Sequence, residues 1–344
     1  MPGRDSVKRP GARKRRRSRA RVPSPNLPGD FEKTVPPKCP VAIRVSSVQC
    51  FPAERTFMQT ELLLDAKAAL GEGPAWDART QTLYWVDILG QRVHAWKDGR
   101  DDYLQLDETV GCVAPRRDGG LVAALHASFW TLGGRGGQRT FLASVDEPAS
   151  NRFNDGKCDP AGRLLAGTMD MGEKNPSGNL YSLEAGKPPR KLLDGVVISN
   201  GLAWSPDYKT FYHIDTPTRQ VRAYDYDLDT GNLSRPRLAV EVPAAMGWPD
   251  GMTSDMEGKL WIALWGGARV GRWDPASGRL EAEVAVPALQ SSSCVFGGAR
   301  RDILFVTSAR VGMDEAALAR YPLSGGLFQI QTQTEGMPAF EFTG

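Results

Sequence analysis

The stretch "EGPAWDARTQTLYWVDILGQRVHAW", residues 72–96, carries the pattern on which the fold depends. A polar residue next to glycine leads into a short apolar strand, a turn that contains aspartate follows, and two further short strands end on an aromatic residue. The same order recurs in "PDGMTSDMEGKLWIALWGGARVGRWD", residues 249–274. Short strands separated by turns at a constant offset indicate repeated units of antiparallel β-structure.

Six copies of this unit can be aligned from residue 59 onward. Their spacings of 39, 43, 46, 50 and 44 residues, with four short strands in each unit, predict an all-β fold, a six-bladed β-propeller with four-stranded antiparallel blades. Residues 60–64 are expected to close the last blade against the first, because closure removes exposed sheet edges. The alternative is a β-sandwich or barrel, against which the repeated turn argues. The aligned residues are Glu72, Gly111, Asn154, Asn200, Asp250 and Cys294.

The composition agrees with one globular domain built from short strands. The chain has 344 residues, of which 41% are hydrophobic, with 37 glycines and 25 prolines, which favours many turns over a helical bundle. The longest apolar stretch, residues 121–132, is too short to cross a bilayer, so no membrane partner is expected. Five widely spaced cysteines without a CxxC pair indicate neither a zinc ribbon nor a disulfide framework, and we expect a reducing, cytoplasmic location.

The positive charge is concentrated in the first 57 residues. Residues 1–57 contain 14 basic and 4 acidic residues, whereas residues 58–344 contain 29 basic and 36 acidic residues. We predict that residues 1–57 are a basic, disordered extension and that residues 58–344 are the propeller domain, with Met58 as a candidate start. The run "RKRRRSRAR" could serve as a nucleic-acid or nuclear-import arm or as part of a presequence. A solvated extension is the preferred interpretation, so no nucleic-acid partner is expected.

Four of the aligned residues carry side-chain oxygens. The innermost strand of each propeller blade runs along a central channel, so residues just before these strands should converge. Two carboxylates and two carboxamides, from Glu72, Asp250, Asn154 and Asn200, form an oxygen-only ligand set that suits a hard or borderline divalent cation. Such a cation would be Lewis-acidic, with positions open for water and substrate. The alternative is that each polar residue before glycine only forms a turn. The segment Asn154-Asp155-Gly156 is interpreted as such a turn, and a second turn is predicted at Asp159-Pro160.

Other catalytic motifs are missing from the sequence. It contains three histidines, His94, His126 and His213, and no HExxH, GxSxG, Walker or dinucleotide-binding motif. A zinc protease, a serine hydrolase and a nucleotide-dependent enzyme are therefore disfavoured.

Five segments, in order, resemble the signatures of the regucalcin, senescence marker protein and gluconolactonase family. The resemblance runs from about residue 60 to residue 334. It implies a propeller that binds one divalent cation (Ca²⁺, Zn²⁺, Mn²⁺, Mg²⁺ or Fe²⁺) at the channel mouth and hydrolyses a small-molecule sugar lactone. A monomer or weak dimer is expected. The segments are "LGEGPAWD", "RFNDGKCDPAGRLLAGTM", "ISNGLAWSPD", "PDGMTSDMEGKLWIA" and "FGG" followed by "VTSAR".

The resemblance also implies roles for single residues. Glu72, Asn200 and Asp250 match the family's metal-ligand positions, and Asp250 also matches the proposed general base. Asn154 matches a polar residue close to metal and substrate, and Arg152 matches an arginine that holds substrate oxygens.

One position departs from the family pattern. Members of the animal type carry two glutamates shortly after "AGTM", one of which contacts substrate, whereas this sequence continues with Asp170-Met171-Gly172-Glu173. Asp170 and Glu173 are both candidates for that role, so the sugar cannot be transferred from the family.

The resemblance and the ligand set together favour a metal-dependent sugar lactonase. The cation would stabilise the developing oxyanion while Asp250 takes a proton from water, and Arg152 would orient the ring. Two alternatives stay open: an organophosphate or ester hydrolase on the same scaffold, and a calcium-binding regulatory propeller without enzymatic activity.

Overall fold

A computed structural model describes residues 58–133 and 138–344 of the chain. The strands within these ranges form six sheets, each with four antiparallel strands, which confirms the predicted propeller. The predicted basic extension, residues 1–57, lies outside the described residues, and the domain boundary at residue 58 therefore stays a prediction.

The first five blades each use four consecutive strands, and the order of the strands in each sheet follows their order in the chain. Blade 1 contains β2 (Gly71–Asp77), β3 (Thr82–Asp87), β4 (Arg92–Lys97) and β5 (Arg100–Gln105). Blade 2 contains β6 (Val110–Pro115), β7 (Leu121–Leu125), β8 (Ser128–Leu132) and β9 (Arg139–Ser144). Blade 3 contains β10 (Asn151–Cys158), β11 (Leu164–Asp170), β12 (Gly178–Leu183) and β13 (Arg190–Val196).

The remaining two full blades and the helices follow. Blade 4 contains β14 (Ser199–Trp204), β15 (Thr210–Asp215), β16 (Gln220–Asp227) and β17 (Asn232–Glu241). Blade 5 contains β18 (Trp248–Ser254), β19 (Leu260–Trp265), β20 (Arg269–Asp274) and β21 (Arg279–Ala285). Two 3-10 turns, Thr216–Thr218 and Ala244–Met246, and one α-helix, α1 (Glu315–Arg320), complete the elements of the described residues. None of these helices is long and apolar enough to cross a membrane.

Blade 6 is assembled from both ends of the domain. It combines β22 (Gln290–Gly297), β23 (Ile303–Ala309) and β24 (Leu327–Gln331) with β1 (Thr60–Leu64). Strand β1 runs antiparallel to β24, with Thr60 opposite Ile330 and Leu62 opposite Phe328. The predicted closing strand at residues 60–64 is thus confirmed, and it pairs with β24 as the outermost strand of the blade.

The innermost strands form a closed ring around the channel. Strands β2, β6, β10, β14, β18 and β22 each contact the next, and β22 contacts β2. The apolar core lies between neighbouring blades. Phe129 of blade 2 packs on Phe153 of blade 3 with ring centroids 4.7 Å apart, and Trp261 of blade 5 meets Phe296 of blade 6 at 5.6 Å. These contacts hold the innermost strands in fixed relative positions.

The C-terminal segment crosses the ring at the ends of the innermost strands. The Met337 amide donates to the carbonyl of Ser254, the last residue of β18, at 3.0 Å, and the Phe342 amide donates to that of Pro115, the last residue of β6, at 2.8 Å. Phe342 is buried in the core between blades 2 and 3. This segment ties blades 2 and 5 together at one end of the channel.

The closing strand gives a direct test of the fold. A chain that begins at Ala66 lacks β1 and should melt on the order of 10 °C lower than one that begins at Met58. Half-buried leucines and ladder hydrogen bonds of such a strand are together worth on the order of 4 kcal/mol. Thermal unfolding followed by circular dichroism measures the difference. Equal midpoints for the two chains would contradict the role given to β1, and the chain from Met58 also tests the domain boundary.

Candidate functional site

A local irregularity in each innermost strand builds the site. The pairing of the first with the second strand of every described blade shifts register at one point, as a β-bulge does. Because a bulge turns side chains out of the regular alternation, it can direct them into the channel. The shifts lie between Glu72 and Ala75, Val110 and Cys112, Phe153 and Gly156, Asn200 and Leu202, Pro249 and Met252, and Ser291 and Ser293.

These bulges correct two expectations from the sequence. The aligned residues were expected just before the innermost strands, but they lie inside them. The segment Asn154-Asp155-Gly156, interpreted as a turn, is part of β10, where two residues face one residue of β11. The turn predicted at Asp159 is present, since the Gly162 amide donates to the Asp159 carbonyl at 2.9 Å. In blade 6 the residue in the bulge is Ser292, two residues before Cys294, which the sequence alignment had placed at the equivalent position.

Glycine is required in two of these bulges by backbone conformation. Gly73 follows Glu72 with φ 48°, and Gly201 follows Asn200 with φ 31°, both in the left-handed region that glycine adopts without strain. A Cβ atom on Gly201 would also lie 2.7 Å from the carbonyl oxygen of Asp250. The glycine therefore lets blade 4 approach the Asp250 backbone of blade 5.

The structure brings the predicted site residues together at one end of the channel. Only 4% to 7% of each residue is exposed, and they come from blades 1, 3, 4 and 5. The residues are Glu72, Arg152, Asn154, Asn200 and Asp250.

Three of these residues are joined directly by hydrogen bonds. Nη1 of Arg152 donates to Oδ1 of Asn154 at 2.7 Å, and Nδ2 of Asn154 donates to Oδ1 of Asn200 at 2.8 Å. Nδ2 of Asn154 also donates to the Ser199 carbonyl at 3.0 Å, and Nδ2 of Asn200 donates to Oγ1 of Thr216 at 2.9 Å. The carboxamides are thus fixed in position, and Asn154 links the arginine to the predicted ligand Asn200.

Each of the two carboxylates accepts a hydrogen bond from the backbone amide of the glycine that follows it. Oε2 of Glu72 accepts from the Gly73 amide at 3.1 Å, and Asp250 accepts from the Gly251 amide. Among the described residues, neither forms a salt bridge. Burial, and then the charge of Asp155, raises the pKa of Glu72 to about 8. Burial and the charge of Glu72 raise the pKa of Asp250 well above its usual range. The pair would be stabilised by a cation between the carboxylates.

Arg152 supplies positive charge beside this pair. Burial lowers the pKa of Arg152 to about 10, and the charges of Glu72, Glu173 and Asp250 oppose this effect. The side chain is therefore a cation at neutral pH. Its Nη1 is already engaged by the Phe153 carbonyl at 2.9 Å as well as by Asn154, which fixes the guanidinium group in the mouth.

The donor set fits a divalent cation bound by oxygen. In the part of the chain that the structure describes, no three His, Cys, Asp or Glu side chains lie together as a metal site requires. Asn200, whose carboxamide is hydrogen-bonded within the site, is a third residue that can offer a side-chain oxygen beside the two carboxylates. Carboxylate and amide oxygens are ligands for Ca²⁺, Mg²⁺ and Mn²⁺, so Glu72, Asp250 and Asn200 are the residues that would hold the cation.

Two charged residues of the site were missed by the sequence interpretation. Asp155 was assigned only to a turn, but it is buried in the bulge of β10 and its charge acts on both Glu72 and Asp250. Lys157, two residues later, donates from Nζ to the Met252 carbonyl at 2.7 Å and is attracted by Asp155. The acidic residue is visible in the sequence, but the bulge that turns it towards the channel is not.

The loop after β11 distinguishes Asp170 from Glu173. Oδ2 of Asp170 accepts from the Lys174 amide at 3.2 Å and from the amide and Nδ2 of Asn175 at 2.9 and 3.0 Å, and these donors lower its pKa. Glu173, with φ 57°, instead acts electrostatically on Arg152 and Asp250. Asp170 therefore organises the loop, and Glu173 is the acidic residue of the loop whose charge acts on Arg152 and Asp250.

Comparison with known proteins gives the family. The family described as SMP-30/Gluconolactonase/LRE-like region matches residues 70–310. The chain belongs to this family. Regucalcin from Danio rerio is 40% identical over 292 residues, which cover 83% of this chain and 99% of that protein.

Two solved structures from bacteria are similar to this propeller. A calcium-binding protein, regucalcin, from Agrobacterium tumefaciens superimposes with a TM-score of 0.79 and 28% identity, covering 83% of this chain and 97% of the other. A gluconolactonase from Xanthomonas campestris has a TM-score of 0.64 and 27% identity, and the match covers 80% of this chain and 89% of the other. All predicted site residues lie within the region that matches the SMP-30/gluconolactonase family, and their individual roles stay predictions.

The raised pKa of Glu72 predicts a pH dependence of stability. Without a divalent cation, the folded state keeps Glu72 protonated up to about pH 8, whereas the ordinary pKa of 4.5 applies after unfolding. The unfolded state thus binds fewer protons between these values, so the free energy of unfolding should fall as the pH rises from about 5 to 8. Thermal midpoints measured in chelator test this. The Glu72→Gln variant should show a shallower decline, and an equal slope in both proteins would contradict the assignment.

Proposed function

We propose that this chain is a divalent-cation-dependent hydrolase that opens a sugar lactone to the corresponding aldonic acid. The observation that carries the proposal is the pair of buried carboxylates, Glu72 and Asp250, with raised pKa values, beside the hydrogen-bonded chain Arg152–Asn154–Asn200. The family and its gluconolactonase structure support the same reaction class.

The residues divide into cation ligands and substrate-orienting groups. Glu72, Asp250 and Asn200 would hold the cation, which when bound supplies Lewis-acid stabilisation of the negative charge that develops on the lactone carbonyl oxygen. Asp250 would accept a proton from the attacking water as the water oxygen bonds to the carbonyl carbon. It would return that proton to the ring oxygen as the ring C–O bond breaks, which gives the hydroxy acid. Asn154 would keep Arg152 in place to donate to substrate oxygens.

The polar rim supports a sugar over an organophosphate or simple ester. Arg152 offers hydrogen-bond donors and Glu173 offers acceptors, and each acts on the other electrostatically. A polyhydroxy ring carries acceptors and donors side by side, so it can bind both groups, whereas a simple ester has no hydroxyl to donate. Glu173 is therefore the proposed contact for a substrate hydroxyl, in place of the alternative, Asp170.

A second function with the same site is calcium binding without catalysis. The observation in its favour is the similarity to regucalcins, one of which is described as a calcium-binding protein. Both functions require the cation ligands Glu72, Asn200 and Asp250, and they differ in whether a lactone is turned over. A cation affinity without hydrolysis of any aldonolactone would favour this second function.

We further propose that the enzyme works in the cytosol as a monomer or weak dimer. Three of the five cysteines lie in the described part of the chain, Cys112, Cys158 and Cys294, and all three are free and buried. Free thiols are typical of reducing compartments.

Replacing the proposed base tests the reaction. The Asp250→Asn variant should lose about 10²- to 10⁴-fold in kcat, because the amide cannot accept the proton of water. Acid release from five- and six-carbon aldonolactones can be followed in chelator and after addition of each candidate cation. Asp229→Asn, an exposed acid in a turn of blade 4, is the matched control. Full turnover by Asp250→Asn would exclude the base role, and turnover insensitive to chelator would exclude the cation.

Replacing the rim acid tests the substrate class. The Glu173→Gln variant should lose about 10-fold in its preference for a polyhydroxy lactone over an unsubstituted lactone of the same ring size, because a charge-assisted hydrogen bond is worth about 1.5–3 kcal/mol. The ratio of kcat/KM for the two substrates measures this preference. The neighbouring Lys174→Gln variant serves as control, and an unchanged ratio in Glu173→Gln would refute the contact.

A further inference from the structure

The hydrogen bonds around Asn200 form a chain with a single direction. Nη1 of Arg152 donates to Oδ1 of Asn154 at 2.7 Å. Nδ2 of Asn154 in turn donates to Oδ1 of Asn200 at 2.8 Å. Nδ2 of Asn200 donates to Oγ1 of Thr216 at 2.9 Å, and Oγ1 of Thr216 donates to the Pro249 carbonyl at 2.9 Å. The chain starts in blade 3, crosses blade 4 and ends in blade 5, on the residue before Asp250.

The two ends of this chain fix the orientation of both carboxamides. A guanidinium group can only donate hydrogen bonds, and a carbonyl can only accept them. A hydroxyl can do either, and a side-chain amide exchanges its donor and acceptor ends when it is rotated. Because the Thr216 proton points to Pro249, the Thr216 oxygen must accept from Asn200. Nδ2 of Asn200 therefore faces Thr216, and Oδ1 faces Asn154. The guanidinium of Arg152 requires the same orientation from the opposite end.

The Thr216 hydroxyl is itself held by a rigid local structure. Thr216 begins the 3-10 turn Thr216–Thr218, with Pro217 fixing the backbone of the turn, and its amide donates to the Ile198 carbonyl at 3.2 Å. The preceding Asp215 carboxylate accepts from the amides of Val197 and Ile198 at 3.3 and 3.0 Å. The hydroxyl is thus positioned before any ligand binds, which lowers the entropic cost of using it.

We propose that Thr216 is a positioning residue that keeps Oδ1 of Asn200 available as the third protein ligand of the cation. The inference rests on the cation site of the proposed function. With the hydroxyl removed, Nδ2 of Asn200 loses its acceptor, and only the hydrogen bond from Asn154 still opposes rotation of the carboxamide. A rotated amide would present N–H groups, which repel a cation, in place of the carbonyl oxygen. Thr216 thus acts on the cation only through Asn200.

Calorimetric titration of the full-length, chelator-treated protein with Ca²⁺ alone and with Mn²⁺ alone tests the proposal. Thr216→Val keeps the shape and removes the hydroxyl, and it should weaken the affinity by about 10-fold. Thr216→Ser restores the hydroxyl and should bind within about 2-fold of wild type. Thr218→Val is the matched control. It removes a hydroxyl from the same turn, one that donates to the Asp215 carbonyl at 2.6 Å, and it should bind as wild type does.

A second measurement needs no cation. In protein labelled with ¹⁵N at asparagine side chains, the Nδ2 protons of Asn200 should exchange with solvent about 10-fold faster in Thr216→Val than in wild type, since they lose their acceptor. Circular dichroism and the thermal midpoint in chelator establish that each variant is folded.

The outcomes separate this inference from the proposed function. Equal affinities for Thr216→Val and Thr218→Val, an affinity for Thr216→Ser as weak as that for Thr216→Val, or unchanged exchange at Asn200 would each overturn the role of Thr216 and leave the cation site in place. Absence of cation binding by wild type would overturn the cation site itself, and the role of Thr216 with it.

Discussion

Two buried carboxylates that form no salt bridge within the described residues, Glu72 and Asp250, are the constraint around which the site is organised. Like charges placed together at low solvent exposure raise each other's pKa and oppose folding in their ionised form. The two residues come from blades 1 and 5, and the closed ring of innermost strands prevents them from moving apart. Apolar contacts between blades and the pairing of β1 with β24 stabilise the ring. The fold therefore holds together two acidic groups whose ionised form a cation would stabilise.

The bulges explain how a repeated structure produces an asymmetric site. Every described blade has a bulge near the same end of its innermost strand, but only blades 1, 3, 4 and 5 place a carboxylate or carboxamide there. Blade 2 has Gly111, whose added Cβ would lie 2.6 Å from the Asn154 carbonyl oxygen, so any side chain would displace blade 3. Blade 6 has Ser292, whose hydroxyl donates to the Gly71 carbonyl at 2.5 Å. The carboxylates and carboxamides thus surround only part of the mouth.

The sequence predicted the architecture because propeller repeats are encoded locally, in turns and alternating strands. The six blades, the closing strand at residues 60–64 and the convergence of Glu72, Arg152, Asn154, Asn200 and Asp250 all follow from that repeat and from the family resemblance. The bulges did not follow, because a polar residue before glycine has the same local signature in a turn and in a bulge. Asp155 was missed for this reason.

Other features depend on which atoms meet across blades. Asp170 and Glu173 were equivalent candidates in the sequence, and only the capture of the Asp170 carboxylate by Asn175 separates them. Thr216 carried no signal in the sequence, since its hydroxyl contributes through a hydrogen bond to Asn200, 16 positions earlier.

The charges that act on the mouth come from four carboxylates, Arg152 and Lys157. With all groups ionised, they leave two negative charges. One divalent cation would balance them, and in the proposed reaction a neutral lactone would then bind without burying further charge. In that reaction, the acid formed on ring opening would add a negative charge next to Glu173, and the resulting repulsion would favour its release.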